Sequence, residues 1–346
     1  MNRIKDIAKK ANVSAGTVDR VLHNRGGVSE KTRAKILKII EDSNYSVNPV
    51  ASILASKKKF SIATLLPHPK TNTDFWDSPK QGVINASKEI KSLGFEVNNF
   101  EFDQFDATSY ITAFHKMINS EPNAVLLAPL LYKETLELVK HLDAKQIPYV
   151  TINSETEGIN NLSFIGQNSF KGGFLAGKLF NWVLPKKSEV LIVEIRKNIA
   201  NYTAINNRIE GFKTFFNQSK KAITVNRLSI KAIDNQEQLN LQLKKYLNKN
   251  PSVKGIFVPS SKVSMIAKSM IEIDREDIEL GGFDSISENI KYLKNGIVDF
   301  LISQKAQQQG YDGIKLLFNY LIHKKEPAKN YYLPIEIVLK ENVDFL

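Results

Sequence analysis

From Phe60 to the C-terminus, short apolar segments alternate with longer amphipathic stretches, and this alternation is what most constrains the fold. Apolar segments separated by helices are typical of buried strands in a parallel sheet that is covered by helices. The predicted strands are Ser61–Leu66, Glu96–Phe100, Ala124–Ala128, Tyr149–Ile152, Val190–Val193, Gly255–Val258 and Glu279–Phe283. Seven or more strands favour two doubly wound, Rossmann-like halves over a single sheet. We therefore predict a two-lobed α/β domain over residues 60–346.

The residues before Phe60 have a different pattern, which predicts three short helices. Apolar residues with the spacing of one helical face occur at Ile4, Ile7, Ala8 and Ala11. Ser14 is a favourable N-cap for a second helix that ends near Leu22, and Ser29 for a third helix. The predicted core between the helices consists of Val18, Val21, Leu22, Ile36, Leu37 and Ile40. We expect a helix-turn-helix with a supporting third helix.

The second predicted helix has an outward face of small and polar residues, Ala15, Gly16, Thr17 and Arg20. Such a face suits a helix that enters the DNA major groove, because small residues allow close approach and Arg20 can form a bidentate pair with guanine. Other side chains are placed to bind phosphates, which fixes position rather than sequence. These are Ser14, Thr17, Asn24, Lys31, Thr32 and Arg33. A three-helix protein-interaction module is the alternative.

The excess positive charge is concentrated in the same N-terminal segment. Lys and Arg number 48 against 36 Asp and Glu, and residues 1–59 contribute +8 of the formal net charge of +12. A basic, folded segment indicates a polyanionic partner. Composition alone leaves a solubilising basic surface as an equal alternative, and the helical pattern favours DNA.

The sequence gives little support to an enzyme. It has no cysteine, which excludes disulfides, thiolate metal sites and cysteine nucleophiles. The stretch 172–179 nearly matches a P-loop, but Leu179 replaces the Ser or Thr that would bind magnesium, and the pattern is helical. The five histidines lack metal-ligand spacing. We expect no cofactor or metal, and a doubly wound enzyme is the rival class.

The N-terminal residues lack the apolar core of a secretory signal. The apolar runs are also too short for a membrane span. We therefore expect a cytoplasmic, soluble protein, and a freestanding solute-binding protein is disfavoured because it would be exported.

Residues 4–54 resemble the headpiece of LacI-type transcription regulators. The matching stretches are Ile4-Lys5-Asp6-Ile7-Ala8, Val13-Ser14-x-x-Thr17-Val18-x-Arg20-Val21-Leu22, Val28-Ser29-x-x-Thr32-Arg33 and Tyr45-x-x-Asn48-Pro49-x-Ala51-x-x-Leu54. Two positions depart from the family pattern, since Asp19 replaces a usual Ser and Val47 a frequent Pro. Because Asp19 would repel a phosphate, we expect it to face Arg20 or solvent.

The resemblance implies a DNA-binding domain over residues 1–48 and a hinge over residues 49–59. The segment Val50–Ser56 has room for two helical turns, below the roughly 12–15 residues at which isolated helices become stable in water. We predict that it folds only when two copies pack together on DNA. In the family a leucine wedges into the minor groove here, and Leu54 matches it. The implied DNA contacts of this region are Tyr45, Asn48, Ala51 and Leu54. An ordinary linker is the alternative.

The large domain is similar to the periplasmic sugar-binding fold, in which two lobes face one cleft. The landmarks are Phe75-Trp76-x-x-x-x-x-Gly82, Arg208-x-x-Gly211-Phe212, Gly282-Phe283-Asp284 and Ile302-x-Gln304 before Gly310. Ligands of open α/β sheets bind beyond the carboxyl ends of the strands. The candidate effector-binding residues at such positions are Phe75, Trp76, Asn153, Ser154, Arg208, Ser260, Asp284 and Gln304.

Each type of candidate has an expected role and an ordinary alternative. The aromatic faces of Phe75 and Trp76 would contact the C–H surfaces of a sugar, and the alternative for either ring is a place in the core. Arg208 and Asp284 would hold hydroxyl groups with charge-assisted hydrogen bonds. The alternatives are a surface ion pair for Arg208 and a helix cap for Asp284.

Departures from the family pattern bear on the identity of the ligand. Asn153 and Ser154 stand where pentose-binding relatives have an Asp-Arg pair, and Ser260 stands where they often have Asn or Asp. The lost charge disfavours a particular pentose. A neutral sugar, a polyol and a sugar acid paired with Arg208 all stay open.

Pattern and resemblance together predict a homodimeric transcription regulator, a repressor, that binds a near-palindromic DNA operator. A small effector, a sugar or sugar derivative, is expected to close the two lobes and to separate the paired hinge helices. The opposite effect, in which the effector acts as a co-repressor and strengthens DNA binding, is equally compatible with the sequence.

Overall fold

The chain divides into two compact units, Met1–Lys58 and Lys59–Leu346. The computed structural model describes residues 4–22, 24–43, 59–70, 74–195, 203–231 and 235–345. The predicted hinge helix and the predicted DNA contacts Tyr45, Asn48, Ala51 and Leu54 lie outside the described residues.

The described part of the first unit is helical. Its helices are α1 (Ile4–Ala11), α2 (Ala15–Leu22) and α3 (Glu30–Asp42). The Ser14 hydroxyl accepts a hydrogen bond of 3.1 Å from the N–H of Thr17 at the start of α2. The Ser29 side chain accepts one from the N–H of Thr32 at the start of α3. Both serines therefore act as the predicted N-caps.

The core of the first unit differs from the prediction at one position. Its buried members are Ile7, Ala8, Ala11, Val18, Val21 and Ile36. The placement of Leu37 in this core is wrong, because Leu37 is 49% exposed and Ile39 packs there instead. A helix turns by about 100° per residue, so the neighbour of Ile36 faces another side. Ile39 and Ile40, three and four residues on, share its face.

The first lobe of the second unit is built on a sheet whose paired strands all run parallel. Its strands are β1 (Phe60–Pro67), β2 (Phe95–Phe102), β3 (Ala124–Leu127), β4 (Tyr149–Ile152), β5 (Ser163–Gly166) and β11 (Asn330–Tyr332). Their order across the sheet is β11-β5-β4-β3-β1-β2. The central strands β3 and β4 are buried throughout, as expected when helices cover both faces.

The second lobe repeats this design. Its strands are β6 (Glu189–Ile195), β7 (Thr224–Ile230), β8 (Val253–Val258), β9 (Glu279–Phe283), β10 (Phe300–Ser303) and β12 (Glu336–Val338). Their order is β12-β10-β9-β8-β6-β7. The edge strand β12 is antiparallel to β10, and the other pairs are parallel.

Helices connect the strands. They are α4 (Asp77–Lys91), α5 (Ala107–Asn119), α6 (Tyr132–Ala144), α7 (Ser169–Val183), α8 (Thr203–Gln218), α9 (Gln236–Lys249), α10 (Val263–Glu272), α11 (Ser287–Lys294) and α12 (Ala306–His323), followed by a 3-10 turn at Val343–Phe345. The P-loop-like stretch 172–179 lies inside α7, as its helical pattern indicated. Within the described ranges, no helix combines the length and apolar character needed to cross a membrane.

All seven predicted strand segments form strands, and the two-lobed doubly wound architecture is confirmed. Five further strands are present that the sequence pattern did not predict. Those at Ser163–Gly166 and Phe300–Ser303 are only 4 residues long, and β11 and β12 have 3 residues each. The fifth, β7, lies at a sheet edge and has several exposed or half-buried polar residues, so it lacks a continuous apolar run.

Each lobe contains one pair of helices whose backbones touch at glycines. In the second lobe, a methyl group at Gly173 of α7 would overlap the carbonyl oxygen of Arg208, and one at Gly211 of α8 would overlap that of Phe170. In the first lobe, Gly82 of α4 and Gly310 of α12 approach the opposite backbone in the same way. These contacts cannot be relieved by moving a side chain, so a larger residue at any of the four positions would force the helix backbones apart.

We expect Gly211→Ala to lower the free energy of unfolding of the second unit by about 1–3 kcal/mol, because the added methyl group forces the backbones of α7 and α8 apart. Chemical denaturation of the full chain measures this change. Glu210→Ala, at the exposed neighbouring position, is the matched control and should have little effect. Equal stability of the two variants would show that the helices separate without cost.

Candidate functional site

The chain passes between the two lobes three times. The lobe against which each helix packs shows where these crossovers lie. Helix α12 packs against α4 and against β3, β4 and β5, which places it in the first lobe, whereas α7 packs against α8 and β9 in the second. The three crossovers are therefore residues 167–168 between β5 and α7, 304–305 between β10 and α12, and 333–335 between β11 and β12. Any movement of one lobe against the other must occur at these segments.

One buried side chain connects all three crossovers. Gln167, in the first, donates from Nε2 to the carbonyl oxygen of Ser303 at 2.6 Å and to that of Pro334 at 3.0 Å. Ser303 borders the second crossover and Pro334 lies in the third. Gln167 is 1% exposed, so these hydrogen bonds are shielded from water. Nothing in the sequence pattern marked this glutamine.

All eight candidate effector-binding residues line one cavity between the lobes, which encloses about 820 Å³ of empty space including its open mouth. The first lobe contributes Phe75, Trp76, Asn153 and Ser154, the second contributes Arg208, Ser260 and Asp284, and the second crossover contributes Gln304. The cavity is also lined by residues that the sequence analysis did not select, namely Asp74, Gln104, Phe105, Leu130, Ile195, Ala204, Ile205, Ser261 and Lys262.

Each lobe places one polar residue in the cavity, and both residues have the same left-handed backbone conformation. Asn153 follows β4 with φ of 70°, and Asp284 follows β9 with φ of 75°. The N–H of Asn153 donates to Ile165 of β5, and that of Asp284 donates to Ile302 of β10. Asn and Asp tolerate this left-handed conformation better than most residues. The neighbouring strand thus holds each residue at the carboxyl end of its sheet.

Arg208 is buried at the cavity wall with much of its hydrogen-bonding capacity unused. Its Nη1 donates to the carbonyl oxygen of Pro259 at 2.9 Å, and its guanidinium lies 4.0 Å from the ring centroid of Phe283. The buried Nε has no hydrogen-bond partner. Burial lowers the pKa of Arg208 to about 10, and the charge of Asp284 partly offsets this effect. Arg208 therefore carries its charge at neutral pH.

Asp284 is joined to the first lobe through a line of side-chain amides. Its Oδ1 accepts a hydrogen bond of 2.6 Å from Nε2 of Gln304, whose Oε1 accepts one of 3.4 Å from Nδ2 of Asn153. Burial raises the pKa of Asp284 to about 6, although Arg208 and the Gln304 hydrogen bond both act to lower it. The line Asn153–Gln304–Asp284 thus spans both lobes and the second crossover.

Two aromatic residues, Phe75 and Trp76, form a buried part of the apolar wall of the cavity. Phe75 and Trp76 are 7% and 4% exposed, and their rings form an edge-to-face pair with centroids 5.1 Å apart. Phe105, which follows β2, reaches from the first lobe onto the apolar core of the second. Ligands bind beyond the carboxyl ends of strands, and Gln104 and Phe105 follow the carboxyl end of β2. The same rule could therefore have predicted both residues from the sequence.

The candidate base-contacting surface of the first unit is exposed. Ala15, Gly16 and Arg20 are exposed, and Thr17 is half-buried with its hydroxyl 2.9 Å from that of Ser14. Asp19 forms an ion pair of 3.4 Å with Arg25.

Several candidate phosphate-binding residues also have partners within the first unit. Nη1 of Arg33 donates to Oδ1 of Asn24 at 2.8 Å, and Nη2 donates to the carbonyl oxygen of Arg25 at 3.2 Å. The Thr32 hydroxyl lies 2.8 Å from that of Ser29, while Lys31 is exposed. Arg33 and Asn24 therefore also hold the turn between α2 and α3.

Comparison with known proteins assigns each unit to a described family. Residues 3–48 match the model of bacterial regulatory proteins of the lacI family, and residues 62–325 match that of the periplasmic binding protein domain. A helix-turn-helix joined to a two-lobed binding domain defines a DNA-binding transcriptional regulator. The chain belongs to the lacI family of such regulators.

Similar proteins are regulators or binding proteins rather than enzymes. The transcriptional regulator RegA of Clostridium saccharobutylicum is 25% identical over 345 residues, 98% of each chain. The ribose operon repressor of Halalkalibacterium halodurans is 26% identical over 351 residues, 99% of this chain and 97% of the repressor. These findings agree with the expectation that the protein is not an enzyme.

Two solved structures share the architecture of the second unit. A protein from Bacteroides fragilis assigned as a LacI transcriptional regulator has a TM-score of 0.78 at 28% identity, covering 84% of this chain and 100% of that one. The glucose-galactose binding protein GanP from Geobacillus stearothermophilus has a TM-score of 0.72 at 21% identity, covering 82% and 99%. The second likeness concerns the fold alone.

We expect Arg20→Ala to cost about 1–3 kcal/mol on the preferred DNA sequence and to relax the preference for one guanine, because a bidentate contact is lost. Binding to duplexes selected from a randomised palindromic library, at fixed salt, measures this. Lys31→Ala is the comparison, since loss of a phosphate contact should weaken all sequences alike. If Arg20→Ala also weakens all sequences by one factor, Arg20 contacts only the backbone.

We expect the second unit to lose stability as pH rises from about 4 to about 6, owing to Asp284. Its folded pKa of about 6 exceeds the ordinary value of 3.8, so the folded state binds the proton more tightly than the unfolded chain does. Protonation therefore stabilises the fold, by up to about 3 kcal/mol.

Urea unfolding across this pH range, compared between the unmodified chain and Asp284→Asn, measures the difference in slope. Glu288→Gln, at an exposed position on α11, should keep the original slope. An identical slope in Asp284→Asn would mean that Asp284 does not titrate in this range.

Proposed function

We propose that the protein is a homodimeric repressor whose affinity for operator DNA is controlled by a small carbohydrate-like effector bound between its lobes. The observation that carries this proposal is that all eight candidate residues line one cavity between the lobes. It combines an aromatic wall with buried charged and amide groups, which is the composition that a polyhydroxylated ligand requires. Because its target is DNA, we place the protein in the cytoplasm.

The first unit supplies the DNA-binding surface of this proposal. The exposed residues of α2 would enter the major groove, with Ser14, Thr17, Asn24, Lys31, Thr32 and Arg33 against phosphates. A twofold dimer imposes twofold symmetry on its operator, so we propose a near-palindromic site with one headpiece on each half. Tyr45, Asn48, Ala51 and Leu54 would add contacts at its centre. Counterion release should make the affinity depend steeply on salt.

The crossovers supply the means of control. An effector that accepts and donates hydrogen bonds at Asn153, Asp284 and Gln304 would bind both lobes at once and so favour the closed form. A ligand shifts such an equilibrium only through its different affinities for the two forms, and a shift from 1:99 to 99:1 needs about 5.5 kcal/mol. We propose that closure separates the two hinge segments and releases the operator, so that the effector is an inducer.

Similar proteins support a carbohydrate as the effector class. They include repressors named for the ribose operon and a ribose import binding protein. This chain has Asn153 and Ser154 in the cavity where an Asp-Arg pair would hold a pentose, so the proposal does not extend to ribose itself. The similar proteins named above are regulators and binding proteins, which disfavours the alternative of a doubly wound enzyme.

The decisive experiment measures operator release in the full chain. A DNA sequence selected from a random library is titrated with the protein, and the complex is challenged with sugars, polyols and sugar acids. An effector at 100 times its Kd also adds about 2.7 kcal/mol of stability, which a thermal shift reveals. Asp284→Ala should bind the selected DNA and resist release, because the buried acceptor for the effector is gone.

Glu288→Ala, which removes an exposed carboxylate on α11, is the matched control and should respond as the unmodified chain does. Unchanged release by Asp284→Ala would place the effector elsewhere. No preference for any duplex over random DNA would refute the regulator itself.

A further inference from the structure

We propose that the effector carries an acidic group, a carboxylate or a phosphate, which binds where Arg208 meets the loop between β8 and α10. This inference rests on the proposed function, because it concerns the same cavity. The loop comprises residues 259–262, and its last three members line the cavity beside Arg208. We call this corner, formed by Arg208, Ser260, Ser261 and Lys262, the cationic corner.

Arg208 is the strongest indication of a missing anionic partner. It is 3% exposed, one of its five N–H groups donates to Pro259, and its buried Nε has no partner. A buried charge is costly unless it is paired and hydrogen-bonded. Asp284 compensates it only in part, since the Asp284 carboxylate is already bonded to Gln304 and burial raises its pKa to about 6. An oxyanion with several acceptor oxygens would satisfy the remaining donors.

Lys262 is a second cation at the same place. It is half-buried, it lines the cavity, and no carboxylate among the described residues forms an ion pair with it. Lys305, in the second crossover, does have an acidic partner, because its Nζ lies 2.7 Å from Oε2 of Glu336. A lysine without a carboxylate at the edge of a ligand cavity is suited to bind a charged group of the ligand.

The backbone and hydroxyl groups of the corner also favour an anion. Ser260 and Ser261 precede α10, which has 10 residues, and the N-terminus of a helix carries partial positive charge. Both serines line the cavity, and their hydroxyls are donors. Oxyanions bind where hydroxyl donors, a helix N-terminus and cationic side chains converge.

The corner is held in place before any ligand arrives. The side chain of Asn289 is fully buried. Its Oδ1 accepts from the N–H of Ser264 at 2.8 Å, and its Nδ2 donates to the carbonyl oxygens of Ser261 at 3.2 Å and Asp284 at 2.8 Å. One amide thus ties the loop to the end of β9. A fixed set of donors binds an anion without the cost of ordering a loop.

The rest of the cavity suits hydroxyl groups instead. Asp74 belongs to the first lobe, and Asp284 lies at the end of β9. Carboxylates accept hydrogen bonds from hydroxyls and repel another acid. The ligand that fits this distribution is a sugar or polyol with an acidic group at one end, such as an aldonic acid, a uronic acid or a sugar phosphate.

The test uses the full chain bound to its selected operator and matched sets of commercial compounds. One set is glucose, gluconate, glucuronate and glucose 6-phosphate, and parallel sets are built on galactose, ribose, arabinose and xylose. We expect at least one acid to release the operator and to raise the unfolding temperature at a concentration at least tenfold below that of its neutral parent. Comparison of the carboxylates with the phosphates identifies the acidic group.

A variant pair assigns the preference to the cationic corner. Lys262→Met should reduce the ratio of acid to neutral affinity at least tenfold, and it should weaken the salt dependence of acid binding, because one charge–charge contact is lost. Lys268→Met, at an exposed position on α10, should keep the original ratio. An unchanged ratio in Lys262→Met would overturn the assignment to this corner.

The outcomes separate this inference from the proposed function. If a neutral sugar releases the operator and none of the acids does so at lower concentration, the carbohydrate-responsive regulator stands and the acidic effector is refuted. If no compound of any set binds, the acidic effector is likewise refuted for these sugars. If the protein selects no operator, the proposed function itself fails.

Discussion

The geometry of the cleft depends on the hydrogen bonds of one buried amide, the side chain of Gln167. Because its Nε2 donates to the carbonyl oxygens of Ser303 and Pro334, this one side chain links the three crossover segments between the lobes. Gln304 extends this connection to Asn153 and Asp284, which are the polar ends of the two sheets. A buried amide that lost these partners would carry the full cost of its desolvation. The three crossovers are therefore linked to one another, and one of them contributes Gln304 to the cavity.

Much of this architecture could be predicted from the sequence, and physical reasons explain which parts. Strands that are buried on both faces, such as those at Ala124 and Tyr149, are apolar along most or all of their length and are easy to recognise. All three residues of the edge strand Asn330–Tyr332 are exposed, and this strand pairs with Ser163–Gly166, more than 160 residues earlier. No local pattern encodes such a pairing. The error at Leu37 has a different, local cause: its side chain is apolar, but the turn of about 100° per residue places it on another face of the helix than the buried Ile36.

The candidate site was predictable to a similar degree. The rule that ligands bind beyond the carboxyl ends of strands selected eight residues that the structure brings to one cavity, although their effector role stays a prediction. It did not select Lys262 or Gln167. Lys262 is a lysine among many in a basic chain, and only the three-dimensional structure separates it from those that are paired or exposed. Gln167 acts through two carbonyl oxygens more than 130 residues away, which sequence spacing cannot reveal.

The matched left-handed residues Asn153 and Asp284 have a consequence for how recognition is shared. Each residue has a left-handed backbone conformation and donates its N–H to the adjacent strand of its own sheet. The two lobes therefore present their polar residues to the cavity in equivalent ways. Neither lobe alone encloses a ligand, so a molecule bound to one lobe would stay largely in water. Ligand selectivity therefore depends on both lobes together. A substitution in one lobe can change the ligand preference while the other lobe keeps its contacts with the ligand.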